Sequence, residues 1–324
     1  MRIKIGIVVL NYNNLTDTLE TIQSIIKCTN AQQHTLVVVD NNSTDGSWEA
    51  LTSTNQFIAS IIHVNNQHEK QLNYLPHVNL LQTTSNKGYA FGNNCGIQQC
   101  LLDTSITHIW ILNNDVELDS NCLLNIEQSI IHSSESIGIW GTLLAYYHKK
   151  THLQAVAAKY YPLIAKTKLF LSNFPINQLN KQLIVFNCKK ANFFIGASLI
   201  FSRKIVEQIG LFNEQFFLYA EELDYFKRAK SAGFEKLIIG DAIVYHKEGG
   251  TTKLNGDKKK IGNTFIEFHN SRSKLIFTKI YYKHIYYLVY GMVVLNLFWV
   301  FRANLKNAIQ IIKCLKKDVY SFNN

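Results

Sequence analysis

Ile3–Leu10 is a nearly unbroken, largely β-branched run, the pattern of a strand buried on both faces. A polar loop, Asn11-Tyr12-Asn13-Asn14, follows it. Leu15, Leu19, Ile22 and Ile26 then recur at helical spacing, with Asn14 or Thr16 placed to cap. The alternation repeats. Leu36–Val39 reads as a second buried strand ending at Asp40, and Ser47–Leu51 opens a helix. Val78–Gln82 reads as a third strand, Tyr89–Leu102 as a helix, and Ile109–Leu112 as a fourth strand ending at Asn113-Asn114-Asp115. The stretch from about His63 to His77 is polar and irregular, as in an inserted loop, and Leu237–Tyr245 is strand-like. Strands alternating with helices predict right-handed crossovers and a mainly parallel α/β sheet.

In such a sheet ligands bind beyond the carboxyl ends of the strands. Three of the four strand ends carry polar clusters: Asn11–Asn14, Asp40–Asp45 and Asn113–Asp115. The topology therefore brings to one crevice what the sequence separates. Asp40 can accept from a nucleobase N–H or a ribose hydroxyl, although Asp45-Gly46 also fits a plain turn. Asp115 can hold Mg²⁺ or Mn²⁺, hard ions that take one or two protein oxygens beside a diphosphate, although a strand-ending Asx turn reads the same way. Glu221-Glu222-Leu223-Asp224 follows the apolar approach Phe216-Phe217-Leu218-Tyr219. Such surroundings raise a carboxyl pKa and make a general base near neutral pH. His246 ends the strand-like run and precedes Lys247-Glu248-Gly249-Gly250-Thr251-Thr252, a glycine-bearing loop.

With 47% hydrophobic and 17% charged residues, three prolines and no biased linker, the 324-residue chain predicts one compact body. Six cysteines without a Cys-x-x-Cys pair exclude a zinc or disulfide framework and suit free thiols in a reducing compartment. The apolar run Ile5–Leu10 is too short for a signal-peptide core, which predicts a cytosolic catalytic part. Thirteen Lys or Arg against three acids follow Thr252 and account for the whole net charge of +10. A neutral body with a basic tail points to an anionic partner of the tail.

The order and spacing of six segments carry a resemblance. They are IVVLNYNN, VVVDNNSTDGS, SNKGYAFGNNCGI, WILNNDV, the run from FIGASLIF to RAKSAGF, and AIVYHKEGGTT. Together they resemble the family 2 glycosyltransferases of GT-A fold, nearest to their rhamnosyltransferase-like branch. The resemblance implies a Rossmann-like nucleotide-diphospho-sugar transferase domain over 1–252, with a donor half of about 1–118 and an acceptor half of about 119–252, followed by a helical extension over 253–324. It implies that Asn11, Tyr12, Asn13 and Asp40 hold base and ribose. Asn42, Lys87, Gly88 and Asn93, with Asn113 and Asn114, would line the donor site. Asp115 and His246 would bind the divalent metal. Glu222 would be the catalytic base, with Glu221 and Asp224 orienting it or sharing the role. Two departures stand out. Asn113 replaces the first acid of the family's Asp-x-Asp motif, and Glu221-Glu222 replaces its Glu-Asp pair.

The implied reaction is an inverting transfer from a nucleotide sugar, dTDP-rhamnose first and a UDP-hexose second. The acceptor would be a lipid-linked saccharide in bacterial surface polysaccharide synthesis. A non-catalytic nucleotide-sugar or glycan-binding module of the same fold is the alternative. The tail fits the lipid-linked acceptor. Ile285–Phe301 has 17 residues without a formal charge, the lower limit for a span of ~17–25 residues. Leu305, Ala308, Ile309 and Ile312 share one helical face, and Lys306, Lys313 and Lys317 another. Such a helix is expected to lie on an anionic membrane, at the inner face of the cell membrane, or else to pack on the core. A dehydrogenase would need Gly-x-Gly-x-x-Gly after the first strand, which Asn11–Asn14 is not, and no P-loop is present. The basic residues surround an apolar run rather than forming a groove-reading helix, so no nucleic-acid partner is expected.

Overall fold

The run Ile5–Asn11 forms strand β1, and its side chains divide between two cores. Ile5, Ile7 and Val9 enter one, while Val8 enters the other. The same division holds in β2 (Thr35–Asp40), β4 (Val78–Gln82) and β5 (His108–Asn113). Leu36, Val38, Leu80, Trp110 and Leu112 bury on one side, and Val37, Val39, Leu81, Ile109 and Ile111 on the other. This is why these strands read as continuous apolar runs rather than alternating ones. Each such buried side chain contributes roughly 1.5–3 kcal/mol. The computed structural model describes residues 3–53, 60–63, 78–247, 264–302 and 304–321. The expected inserted loop over about 63–77 and the glycine-bearing loop after Lys247 lie, beyond His63 itself, outside the described residues.

Helices α1 (Leu15–Ile26), α2 (Ser47–Ser53) and α3 (Tyr89–Leu101) connect the first strands, with β3 (Ser60–His63) at the sheet edge. The chain continues through β6 (Val116–Leu118), α4 (Cys122–Ile131), β7 (Ile137–Tyr146), β8 (Lys149–Ala155), β9 (Ala157–Tyr161) and β10 (Lys166–Phe170). It then runs through α5 (Lys181–Lys190), β11 (Ser198–Ser202), α6 (Arg203–Ile209), α7 (Glu221–Ser231) and β12 (Glu235–His246). The main sheet runs β3-β4-β2-β1-β5-β11-β7-β12-β6, with β8 paired to β7. Pairings from β3 through β5 are parallel, as expected for crossovers through helices. β11 is antiparallel to both of its neighbours, and β12 runs parallel to β7. The architecture is the expected α/β fold.

β1 lies between β2 and β5, so the chain crosses from one side of β1 to the other. A crevice opens where the carboxyl ends of these strands diverge. Helix α3 lies close over this point. A Cβ at Gly96 would stand 2.3 Å from Val8.

The extension is divided. Helix α8 (Thr264–Tyr281) belongs to the body. Ile276 and Phe277 join the larger core, and Phe277 meets Tyr160 of β9 edge-on at 5.6 Å. Helices α9 (Tyr286–Val300) and α10 (Leu305–Ser321) build a small core of their own. Val289, Val293 and Leu297 of α9 pack with Leu275, Ala308, Ile311 and Leu315. The apolar face expected on α10 is therefore rotated. Ala308 turns inward together with Ile311 and Leu315, and Ile312 packs beside them, while Leu305 and Ile309 stay exposed. Lys283–Val300 is the one helical stretch among the described residues long and apolar enough to cross a membrane, and only 17% of it is buried.

Candidate active site

The ends of β1 and β2 are tied by side chains. Asn11 Nδ2 donates to Asp40 Oδ1 at 2.8 Å. Asp40 Oδ2 accepts from the Ser43 backbone N–H at 3.0 Å and from Gln82 at 3.3 Å. Asp40 is fully buried, and these bonds engage both of its oxygens within the protein. Asn13, with φ of 51°, accepts from the Thr44 N–H, and Ser43 Oγ accepts from the Asn13 N–H, so the two loops are zipped together. Asn42 also takes a left-handed backbone (φ 60°), which an asparagine tolerates. Tyr12 is half-buried on the same loop as Asn13. Asn114 is buried and donates to Thr18 Oγ1 at 2.8 Å, which anchors the end of β5 on α1.

Neighbouring Asn41 donates to Asn86 and to the Gly88 carbonyl. Gly88 has φ of 101°, and a Cβ there would stand 2.2 Å from the Phe217 carbonyl oxygen. This position joins the donor-side loop to the segment that leads into α7. The Gly88→Ala variant combines left-handed strain with overpacking, each of about 1–3 kcal/mol. It should lose at least about 2 kcal/mol in a urea titration. Asn93 donates to the Tyr89 carbonyl, and its amide oxygen is buried without a hydrogen-bond partner. Lys87 is exposed above the Phe91 ring.

β5 and β12 deliver the candidate metal ligands. His246 Nε2 stands 3.2 Å from Asp115 Oδ1 and 3.4 Å from the Asn113 amide nitrogen, and both His246 and Asp115 are buried. On the far side of the ring, Nδ1 lies 2.9 Å from Gln154 Oε1 of β8. An amide oxygen only accepts, so Nδ1 donates to Gln154, and Nε2 is the ring atom that faces Asp115. A proton or a shared cation can lie between Nε2 and Asp115 Oδ1, with the Asn113 amide beside them. Neighbouring ligands ~2.1 Å from an octahedral ion stand about 3.0 Å apart, so the pair fits Mg²⁺ or Mn²⁺. Among the described residues no three His, Cys, Asp or Glu side chains gather. The protein would supply two ligands and leave the remaining positions to a diphosphate and water.

The carboxylates come from the start of α7, after two consecutive left-handed residues, Tyr219 and Ala220 (φ 69° and 68°). Tyr89 connects them to the metal side. Its hydroxyl is 2.9 Å from the Gly196 carbonyl and 3.2 Å from Asn113 Oδ1. A Cβ at Gly196 would stand 3.7 Å from that hydroxyl and 4.0 Å from the Glu222 carboxyl carbon. Glu222 also lines a cavity of about 250 Å³ together with Gln154, the residue that holds His246. Oε2 of both Glu221 and Glu222 is buried without a hydrogen-bond partner. Burial raises the Glu222 carboxyl to about 7, and burial with the neighbouring Glu222 charge raises Glu221 well above its ordinary value. Asp224 is arranged differently. Arg228 Nε donates to its Oδ2 at 2.8 Å and the Tyr281 hydroxyl to its Oδ1 at 2.6 Å, so it ties α7 to α8.

A raised carboxyl means that the folded state binds more protons than the unfolded chain above the ordinary value of 4.5, so stability falls as pH rises. Glu221→Gln removes that loss. It should melt above wild type at pH 8, with the gain vanishing toward pH 4.5.

The sequence singled out Asp115, His246 and the acids but not Tyr89, Gly196 or Gln154. Tyr89 sits inside a segment already noted. Gln154 lies in β8, which carried no recognisable pattern.

Comparison with known proteins places this geometry. Residues 6–210, more than half of the chain, match the family model described as Glycosyl transferase family 2. A curated relative, the low-salt glycan biosynthesis hexosyltransferase Agl10 of Haloferax volcanii, is 25% identical over 211 residues. The match spans 64% of each chain, somewhat less than two thirds of the relative's length. Among solved structures, the mannosyltransferase PcManGT from Pyrobaculum calidifontis, in complex with GDP-Man and Mn²⁺, superposes with a TM-score of 0.53. It is 13% identical, and the match covers 98% of this chain and 76% of that one. GalNAc-T7 with UDP, GalNAc and Mn²⁺ superposes at 0.57 with 13% identity, over 88% of this chain and 50% of that one. At these identities the superpositions speak for the GT-A fold alone.

Proposed function

We propose, from the premise that the chain belongs to glycosyl transferase family 2, that it is a metal-assisted, inverting hexosyltransferase. The observation that carries the reading is the meeting of Asp115, His246 and Glu222, from three distant segments, around one crevice. Asn11, Tyr12, Asn13 and Asp40 shape the cleft for base and ribose. Asn42, Lys87, Gly88, Asn93, Asn113 and Asn114 border the diphosphate and sugar. A divalent cation held by Asp115 and His246 would supply charge to neutralise the leaving diphosphate. Glu222 takes the proton of the acceptor hydroxyl as that oxygen attacks the anomeric carbon opposite the diphosphate. One displacement inverts the anomeric configuration. Glu221, also raised, withholds a second negative charge beside the base. Asp224 positions α7 through Arg228 and Tyr281.

The donor is a nucleoside-diphospho-hexose. The motif resemblance ranks dTDP-rhamnose first and a UDP-hexose second. The curated relative is named a hexosyltransferase, which is compatible with either donor. A panel of dTDP-, UDP- and GDP-sugars, scored by release of nucleoside diphosphate with Mn²⁺, tests the reading. Release from one donor, increased by an acceptor, supports it. Binding without release from any donor favours the non-catalytic module.

The acceptor is a lipid-linked saccharide of surface-polysaccharide synthesis, and the enzyme works in the cytoplasm against the inner face of the membrane. The support is α9, which leaves Tyr287, Leu295 and Trp299 at 81, 64 and 67% exposure, beside the basic α10. Sedimentation with anionic vesicles, reversed by high salt, is the expected behaviour. Retention in salt would make α9 a span, and no sedimentation would remove the membrane.

A further inference from the structure

The cavity that holds Glu222 has a wall the reaction described above does not use. Its other linings come from three places. β9, β10 and the segment before β11 give Tyr160, Thr167, Phe193 and others, the approach to α7 gives Tyr219, and α8 gives Asn270, Lys274 and Phe277. At about 250 Å³ it is smaller than the roughly 300–1,000 Å³ of drug-sized pockets, and its aromatic lining suits the face of a single sugar ring.

Lys274 is the only cation in that lining. Among the described residues its ammonium makes no ion pair within 4 Å and no hydrogen bond. The acid acting most on it is Glu267, two turns earlier on the same helix, and Lys166 of β10 adds a second positive charge nearby. Burial pulls the Lys274 ammonium below its ordinary value by more than Glu267 offsets. A lysine kept partly buried and unpaired in a mainly apolar cavity is a natural partner for a ligand's anion. The neighbouring Asn270 amide can donate to the same group. We propose that Lys274 and Asn270 form an anion subsite in the acceptor cavity, so that the accepting sugar carries a carboxylate or a phosphoester. This rests on the reading of the cavity as the acceptor side of a transferase. The subsite orients the acceptor through its anion while its hydroxyl meets Glu222.

The test is binding by thermal shift on the full chain, with chelator present and no nucleotide, so that a metal-bound diphosphate site is not populated. The probes are methyl β-D-glucuronide, α-D-glucose 1-phosphate and the neutral methyl β-D-glucoside. At least one anionic probe should stabilise the wild type at about tenfold or more lower concentration than the neutral one. Which of the two does so separates a uronic acid from a sugar phosphate. The advantage should disappear in Lys274→Met, persist in part in Lys274→Arg, and persist fully in Lys168→Met, an exposed lysine of β10 outside the cavity lining. Removal of an unpaired cation should not lower melting, so Lys274→Met is expected to fold. Equal response to all three probes, or an anionic preference retained in Lys274→Met, overturns the subsite. Donor cleavage by the wild type with Mn²⁺, measured in parallel, separates the failures. No cleavage of any donor removes the transferase reading, whatever the probes do.

Discussion

Glu222→Gln is expected to lower kcat by about 10²–10⁴, the typical contribution of a positioned general base, while donor binding persists. The change removes the proton acceptor without removing volume, and Glu222 Oε2 has no hydrogen bond to lose. The wild type adds a second signature. A base must be ionised to act, and burial raises Glu222 to about 7. Activity should therefore fall roughly tenfold per pH unit below that value and level off above it. Full turnover by Glu222→Gln would move the base to Glu221. Asp224 is the weaker substitute, because both its oxygens are held by Arg228 and Tyr281.

Asp115→Ala is expected to weaken Mn²⁺-dependent donor binding by about 10²-fold, roughly 2.7 kcal/mol. With two candidate side-chain ligands among the described residues, losing one would leave His246 as the other. The loss should appear only with metal present, as a smaller thermal shift from nucleotide and Mn²⁺ together. A titration that matches wild type would argue for a site that works without metal. Asn113, in the place of the motif's first acid, makes the comparison sharper, since among the described residues no third His, Cys, Asp or Glu gathers with Asp115 and His246.

Much of this was readable beforehand because the strands are buried on both faces. Val8 and Val9 point to opposite cores, so a continuous apolar run locates β1, and the polar residues at its end mark the crevice. Parallel order then requires Asn11, Asp40 and Asp115 to end on one side. The closeness of Asp115 and His246 comes from an antiparallel pairing instead: edge strand β6 lies beside β12, with His246 opposite Val116 directly after Asp115. Other features were not legible. Gln154 and Gly196 act through short distances set by tertiary packing, which no periodicity records. The engagement of Asp40 depends on Gln82, a strand away. The face of α10 was misplaced at Leu305 and Ile309, though not at Ala308 and Ile312, because a single-helix pattern does not show which side its neighbours α8 and α9 take. The extension also reads as one basic segment, whereas α8 is part of the catalytic body through Phe277 and Tyr281.

A crystal structure with Mn²⁺ and the nucleoside diphosphate identified by the donor panel, recorded at the manganese absorption edge, tests the account most directly. The prediction is one anomalous peak between Asp115 and His246, bridged to the diphosphate, with the Glu222 carboxylate facing the sugar position. Manganese bound elsewhere, or a nucleotide lying outside the crevice at the ends of β1 and β5, would contradict it.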